Sequence, residues 1–231
     1  MEMKVRAATR RTSLRGAGMY ATIAARLREM ILEGELAPGE HIDEKELCEE
    51  FDISKTPLRE ALKTLVTEGH VTHRQHLGFR VAPIDVDEIA AIFEVLHGLE
   101  ETAGRYAALR IDDDALAELH QRHRLLESYH HDGKRSAYYR TNQDIHQSII
   151  DAAGNPVLTT LYAALMSKVH RARGAANADV LRWRESLAEH ESIMHALSNH
   201  DPQRLSQLLR QHSEHTATEV MKVLRATLAS E

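Results

Sequence analysis

Residues 53–62 read Ile-Ser-Lys-Thr-Pro-Leu-Arg-Glu-Ala-Leu, and they constrain the fold more than any other stretch of the chain. A small polar residue opens a helix, and Pro57 sits in its first turn, where a missing N–H costs little. Lys55, Arg59 and Lys63 recur four apart, while Leu58, Ala61, Leu62, Leu65 and Val66 fall on the opposite face. A helix of this kind packs one side into a small domain and offers its cations to phosphates and base edges on the other.

The flanking residues complete a small domain. Apolar spacing predicts a helix over 19–33, with Ile23, Leu27, Met30 and Ile31 on one side and Gly34 as its C-cap. Pro38-Gly39 makes a turn. Asp43 is an expected N-cap with Glu46 three residues on, a capping-box spacing for a short helix ending near Phe51. Asp52-Ile53 forms a tight turn, Ser54 or Thr56 caps the third helix, and Gly69 ends it. Residues 70–73 and 79–82 read as short strands around the turn 75–78. Three helices and a hairpin make a winged helix-turn-helix over 19–83.

After Pro83 the apolar period is helical throughout. Six segments are expected, at about 86–109, 112–131, 134–152, 156–173, 179–199 and 201–228. Asp85, Asp112, Asp201 and the Gly154-Asn155-Pro156 break punctuate them. The expected fold is mainly α: an N-terminal winged helix-turn-helix joined to a C-terminal all-α antiparallel helix bundle over 84–231.

Charge is distributed unevenly between these parts. Residues 1–82 hold 13 basic and 13 acidic side chains, and residues 83–231 hold 16 and 22, which accounts for the net −6. A neutral N-terminal part with cations gathered on one helix suits local DNA binding, and the acidic remainder does not. Residues 1–18 form a basic segment without a secretory apolar block, expected to be disordered, with a secondary role at phosphates left open. No apolar run reaches the roughly 18–20 residues of a membrane span. The single cysteine, Cys48, reads as a small core residue and points to a reducing cytoplasm. Sixteen histidines are a marked excess, so metal coordination or pH sensing becomes a question for this chain.

The motif 34–40 (Gly-Glu-Leu-Ala-Pro-Gly-Glu), Leu47, the run 54–62, Leu65, Glu68-Gly69 and the run 78–81 (Gly-Phe-Arg-Val) resemble the N-terminal domain of the GntR family of bacterial transcription regulators. The resemblance implies a homodimer on a short palindromic operator, with recognition helices in major grooves and wing tips in the minor groove. Carried over by position, Lys45, Ser54, Lys55, Thr56 and Arg59 face DNA, with His76 and Gly78 at the wing tip. Arg59 can present a bidentate fork to guanine, and Lys45 and Lys55 suit phosphates. Arginine is common in the family at position 55, and lysine there lacks the fork.

The second part resembles the ligand-binding domain of the FCD subfamily. In its metal-binding members an acidic residue and a histidine on one helix join two histidines from the last two helices. Asn142, His146, His190 and His212 occupy those positions here, so a divalent metal is implied, zinc first and nickel second. Asn142 departs from the usual aspartate and supplies a neutral oxygen. Asp144 cannot replace it, because i and i+2 diverge on a helix. The subfamily often has a carboxylate-binding arginine where this chain has His97. Arg140, read at the start of the Asn142 face, is a candidate substitute, and Trp183 a candidate pocket wall. His120, His123, His130, His131, His195, His200 and His215 are expected to be exposed.

The leading expectation is a cytoplasmic regulator, more often a repressor than an activator, that answers to a small organic or sugar acid near the metal. One alternative is a regulator with a purely structural metal and no effector. The other is a zinc hydrolase, disfavoured because no His-Glu-x-x-His motif occurs.

Overall fold

The computed structural model describes residues 18–32, 34–175 and 180–228, without the side chains of 173–183 and 227–228. The expected disordered segment therefore lies outside the described residues, apart from Gly18, as do Glu33 and the side chain of Trp183. The chain divides into two compact units, one ending at Ile84 and the other beginning at Asp85.

In the first unit, α1 (Met19–Leu32) packs on α3 (Lys55–Thr67), with α2 (Glu44–Phe51) beside them. Ile23, Leu27, Met30 and Ile31 meet Leu58, Leu62, Leu65, Phe51 and Val81 in one buried cluster, and Cys48 packs against it half-buried. The Asp43 carboxylate caps α2 by accepting the Lys45 and Glu46 N–H groups at 2.8 and 3.1 Å. Asp52 closes α2 in the left-handed region at φ 54°, which a short polar side chain tolerates. Ser54, not Thr56, is the N-cap residue of α3, and its side chain makes no capping hydrogen bond. Gly69 ends α3 at φ 76°. There the His70 N–H reaches the Leu65 carbonyl and the Gly69 N–H the Val66 carbonyl, a Schellman arrangement.

The wing is an antiparallel pair, β1 (Val71–Arg74) and β2 (Gly78–Val81), registered Val71 to Val81 and Arg74 to Gly78. Each strand sits within a residue of the expected one. His41 bridges to Arg80, and the Ile42 N–H reaches the Phe79 carbonyl, so the segment before α2 lines the wing's outer edge.

The second unit holds α4 (Val86–Arg110), α5 (Asp113–His131), α6 (Arg135–Ala152), α7 (Pro156–Ala175), α8 (Val180–Ser198) and α9 (Pro202–Leu228). Asp85, Asp112, Asn155 and Asp201 cap α4, α5, α7 and α9 by accepting first-turn N–H groups. Helix α4 is the axis, touching α6, α7, α8 and α9. Its buried residues, Ile89, Phe93, Leu96, Glu100, Ala103 and Ala107, follow the helical period.

The tightest approach is between α4 and α9. A Cβ on Gly104 would lie 2.8 Å from the Ser206 Cα, and the Ser206 hydroxyl donates to the Glu101 carbonyl at 2.8 Å. Gly98, by contrast, is exposed with nothing near its missing Cβ. Gly104→Ala is therefore expected to destabilise the helical unit by about 1–3 kcal/mol through overpacking. Gly98→Ala should stabilise it by roughly 0.5–1 kcal/mol through helix propensity. Urea unfolding of the two variants checks both signs.

Candidate functional site

Two groups of polar residues stand out, one in each unit. In the first unit, Lys45, Ser54, Lys55, Thr56, Arg59 and His76 are all exposed, and Gly78 is half-buried. The wing turn needs left-handed backbone at His76 (φ 65°) and Gly78 (φ 74°), and a Cβ at position 78 would press on His41 Nε2 at 3.3 Å. A groove of about 800 Å³ runs between α3 and the wing, lined in part by His41, Glu44, Arg59, Lys63, His73 and His76. Within it Arg59 Nε donates to Glu44 Oε2 at 2.6 Å and Nη2 to Oε1 at 3.1 Å. The Arg59 hydrogen bond holds the Glu44 carboxyl below the ordinary carboxylate range. Lys45 makes a loose surface pair with Glu49 at 3.8 Å, and Lys63 a hydrogen-bonded one with Glu60 at 2.7 Å.

In the second unit, His146 on α6, His190 on α8 and His212 on α9 are brought together inside the bundle, all buried. Each offers a ring nitrogen within 4.8 Å of the others. The His146 and His212 rings stack at 4.8 Å, and His190 meets both edge-on at 5.1 and 4.9 Å. Asn142, one turn before His146, is buried as well, and its Oδ1 has no hydrogen-bond partner among the described residues. A buried amide oxygen left in that state carries a desolvation penalty that a donor or a cation would relieve.

Carboxylates surround the imidazoles. Glu189 faces His212 Nδ1 at 2.6 Å and His215 Nδ1 at 2.7 Å. That contact favours the His212 tautomer with its proton on Nδ1, which gives Nε2 the ring lone pair. Glu100 lies 3.7 Å from His146 Nδ1 and accepts a hydrogen bond from the Tyr162 hydroxyl at 3.1 Å. Complete burial pushes the Glu100 carboxyl up to about 7, against the opposing pull of hydrogen bonds from Ser213 and Tyr162.

His97 Nδ1 is hydrogen-bonded to Ser213 Oγ at 3.0 Å, and the ring stacks on Phe93. Burial lowers its pKa, which favours the neutral imidazole over an anion-binding cation. Arg140 is exposed and is not brought to the cluster. Two residues before buried Asn142, it lies about 200° around the helix, so the expected shared face does not exist. Asp144 is exposed, as its spacing implied.

Sequence reasoning missed Glu100, Glu189 and His123. His123 was expected on the surface but is buried, 6.3 Å from the His190 ring and 3.4 Å from Glu127. Leu119, His123 and Leu126 share the buried face of α5, so the i, i+4, i+7 period carried the signal. Glu100 follows Leu96 by four and precedes Ala103 by three in the same way. His120 and His130 are also half-buried, and the exposed His200 hydrogen-bonds through Nδ1 to the Ala108 carbonyl.

This architecture, a winged helix-turn-helix followed by a helical unit with a polar core, defines a class of bacterial regulator. The model for gntR-family bacterial regulatory proteins matches residues 19–81, and the FCD-domain model matches 91–215. The chain belongs to the GntR family, in the branch that carries an FCD domain, and is a DNA-binding transcription regulator, not an enzyme. It is 30% identical to the Nta operon transcriptional regulator of Aminobacter aminovorans over 70% of this chain and 73% of that one. It is 27% identical to the galactonate operon transcriptional repressor of Escherichia coli, over 78% and 86% respectively. The fold matches the solved structure of E. coli McbR/YncC with a TM-score of 0.78 and 20% identity, over 90% of this chain and 99% of that one.

Burial of Glu100 has a measurable consequence for stability. Its folded pKa lies above the unfolded value, so stability is full below about pH 4.5 and is lost as pH rises through about 7. Glu100→Gln lacks that ionisation. The variant should match wild type near pH 4 and exceed it near pH 8 by on the order of 3 kcal/mol. Urea midpoints at the two pH values, taken with chelator present, give the comparison.

Proposed function

We propose that the chain is a metabolite-responsive repressor that acts as a homodimer on a short palindromic operator in the cytoplasm. Lys45, Ser54, Lys55 and Thr56 position the protein on phosphates and sugars, Arg59 reads a base edge, and the wing tip at His76 and Gly78 enters the minor groove. No helix among the described residues is long and apolar enough to span a bilayer.

The helical unit holds a divalent metal, zinc ahead of nickel, through His146, His190 and His212, with the Asn142 oxygen as fourth donor. The observation that carries this reading is the meeting of three buried imidazoles from three helices beside a buried amide oxygen that lacks a donor. The donor set suits a borderline cation. A bound metal supplies Lewis acidity and open positions for a carboxylate. Glu189 keeps His212 in the ligating tautomer, and Glu100 sits behind His146. His97 and Ser213 extend this polar network, and His97 contributes to the effector site as a neutral hydrogen-bonding group.

The effector is a small organic or sugar acid. One relative is named a galactonate operon repressor and another a D-xylose utilization operon repressor, which supports a sugar-derived ligand. The effector changes operator affinity through its differential affinity for two states of the dimer. A hundredfold change in operator affinity corresponds to about 2.7 kcal/mol.

Arg59→Ala should abolish sequence-specific DNA binding while the circular dichroism spectrum is retained. An unchanged base preference would remove Arg59 from the reading. The double variant His146→Ala, His190→Ala should purify without the metal found in wild type by elemental analysis. Asn142→Asp should bind zinc more tightly in a competition titration, because it adds a charge at a donor position. A weaker site would show that Asn142 is not a ligand.

A further inference from the structure

We infer that Glu44 is a positioning residue for sequence readout: it grips one edge of the Arg59 guanidinium so that the opposite edge is presented to a base. The inference rests on the reading of Arg59 as a base-contacting residue. A guanidinium carries five N–H donors in a fixed plane. Glu44 engages the side edge, taking Nε–H at 2.6 Å and Nη2–H at 3.1 Å. The far edge, made by Nη1 and the second Nη2 hydrogen, still offers a parallel pair of donors. That pair matches guanine O6 and N7.

The two partners differ in exposure in the sense this role requires. The Glu44 side chain is 17% exposed and the Arg59 side chain 56%. The clamp is therefore set into the domain, and the reader projects from it. Glu44 is also the first residue of α2, and the Asp43 cap fixes the backbone there. Arg59 is thus tied to two helices at once, α3 through its backbone and α2 through Glu44. Its long side chain is ordered before DNA arrives, which lowers the entropy lost on binding.

A carboxylate at this place has a second effect of opposite sign. It stands near the groove where phosphates approach and weakens attraction to any DNA. Glu44 therefore lowers general affinity while raising discrimination. Support of α2 alone would change binding to all sequences in parallel, and masking of Arg59 would mean that removing Glu44 improves specific binding.

The test uses the full chain and two duplexes of equal length, one enriched by wild type from a randomised pool and one scrambled. Arg59→Ala comes first. If it keeps the wild-type preference between the duplexes, the base-reading role of Arg59 fails, and the positioning role with it. If it loses the preference, Glu44→Ala is decisive. The expected result is a selected-to-scrambled affinity ratio reduced about tenfold or more, with the scrambled duplex bound as tightly as by wild type or several-fold tighter. Glu44→Gln keeps one acceptor oxygen and should give an intermediate ratio, which also guards against poor folding of the alanine variant. Parallel weakening on both duplexes, an unchanged ratio, or tighter binding of the selected duplex by Glu44→Ala would each overturn the proposal.

Discussion

The helical unit depends on burying α4 along most of its length. Helices α6, α7, α8 and α9 all rest on it. A helix covered so widely can be apolar throughout, or it can carry polar groups that find partners inside. This one does the second. Glu100 sits midway along α4, and the residues that approach it, Tyr162, Ser213 and His146, come from three different neighbours. Gly104, one turn further on, lets α9 come close enough to place Ser206 against the α4 backbone. His212 and Ser213 lie on α9 two turns beyond that contact. The close approach at Gly104 therefore fixes the register in which α9 delivers its part of the polar core.

Charge balance within that core follows from the same burial. Three imidazoles and the Asn142 amide are all neutral donors, so a divalent cation among them would meet no formal negative charge in direct contact. The carboxyl groups stand one layer out, Glu189 behind His212 and Glu100, whose ionisation burial opposes, behind His146. An aspartate at position 142 would move one charge inward, onto the helix that bears His146. With asparagine there, electrostatic compensation of a cation would act through the imidazoles instead of beside them. A metal held this way would be bound more weakly than one with an inner carboxylate, and its affinity would depend more on the outer groups.

Much of the architecture was legible in the sequence because periodicity and capping are local. Asp43, Asp85, Asp112 and Asp201 announce helix starts without reference to the rest of the chain. The cation-bearing face of α3 was equally plain, since Leu58, Ala61, Leu62 and Leu65 fall on one side. The bundle's interior was harder to read. His123 and Glu100 sit at apolar-period positions, but a polar residue there is ordinarily taken for a surface group, and only the packed partner helices show otherwise. Arg140 lies off the Asn142 face for a simpler reason, because a two-residue step carries a side chain to a different side of the helix. The pairing of Glu44 with Arg59 spans 15 residues and a turn, so no local pattern announces it.

One physical device recurs in both units. In the first, the Glu44 carboxylate fixes which edge of a guanidinium is turned outward. In the second, the Glu189 carboxylate fixes which nitrogen of His212 is turned toward its neighbours. In each case the gripped side chain has more than one usable orientation, and a carboxylate on another helix selects among them. Both carboxylates are far less exposed than the charged surface around them, at 17% and 23%, so the hydrogen bonds they accept are stronger than in water. On the proposed readings of Arg59 and of the three histidines, specificity would be set as much by acidic residues that touch no ligand as by the groups that do.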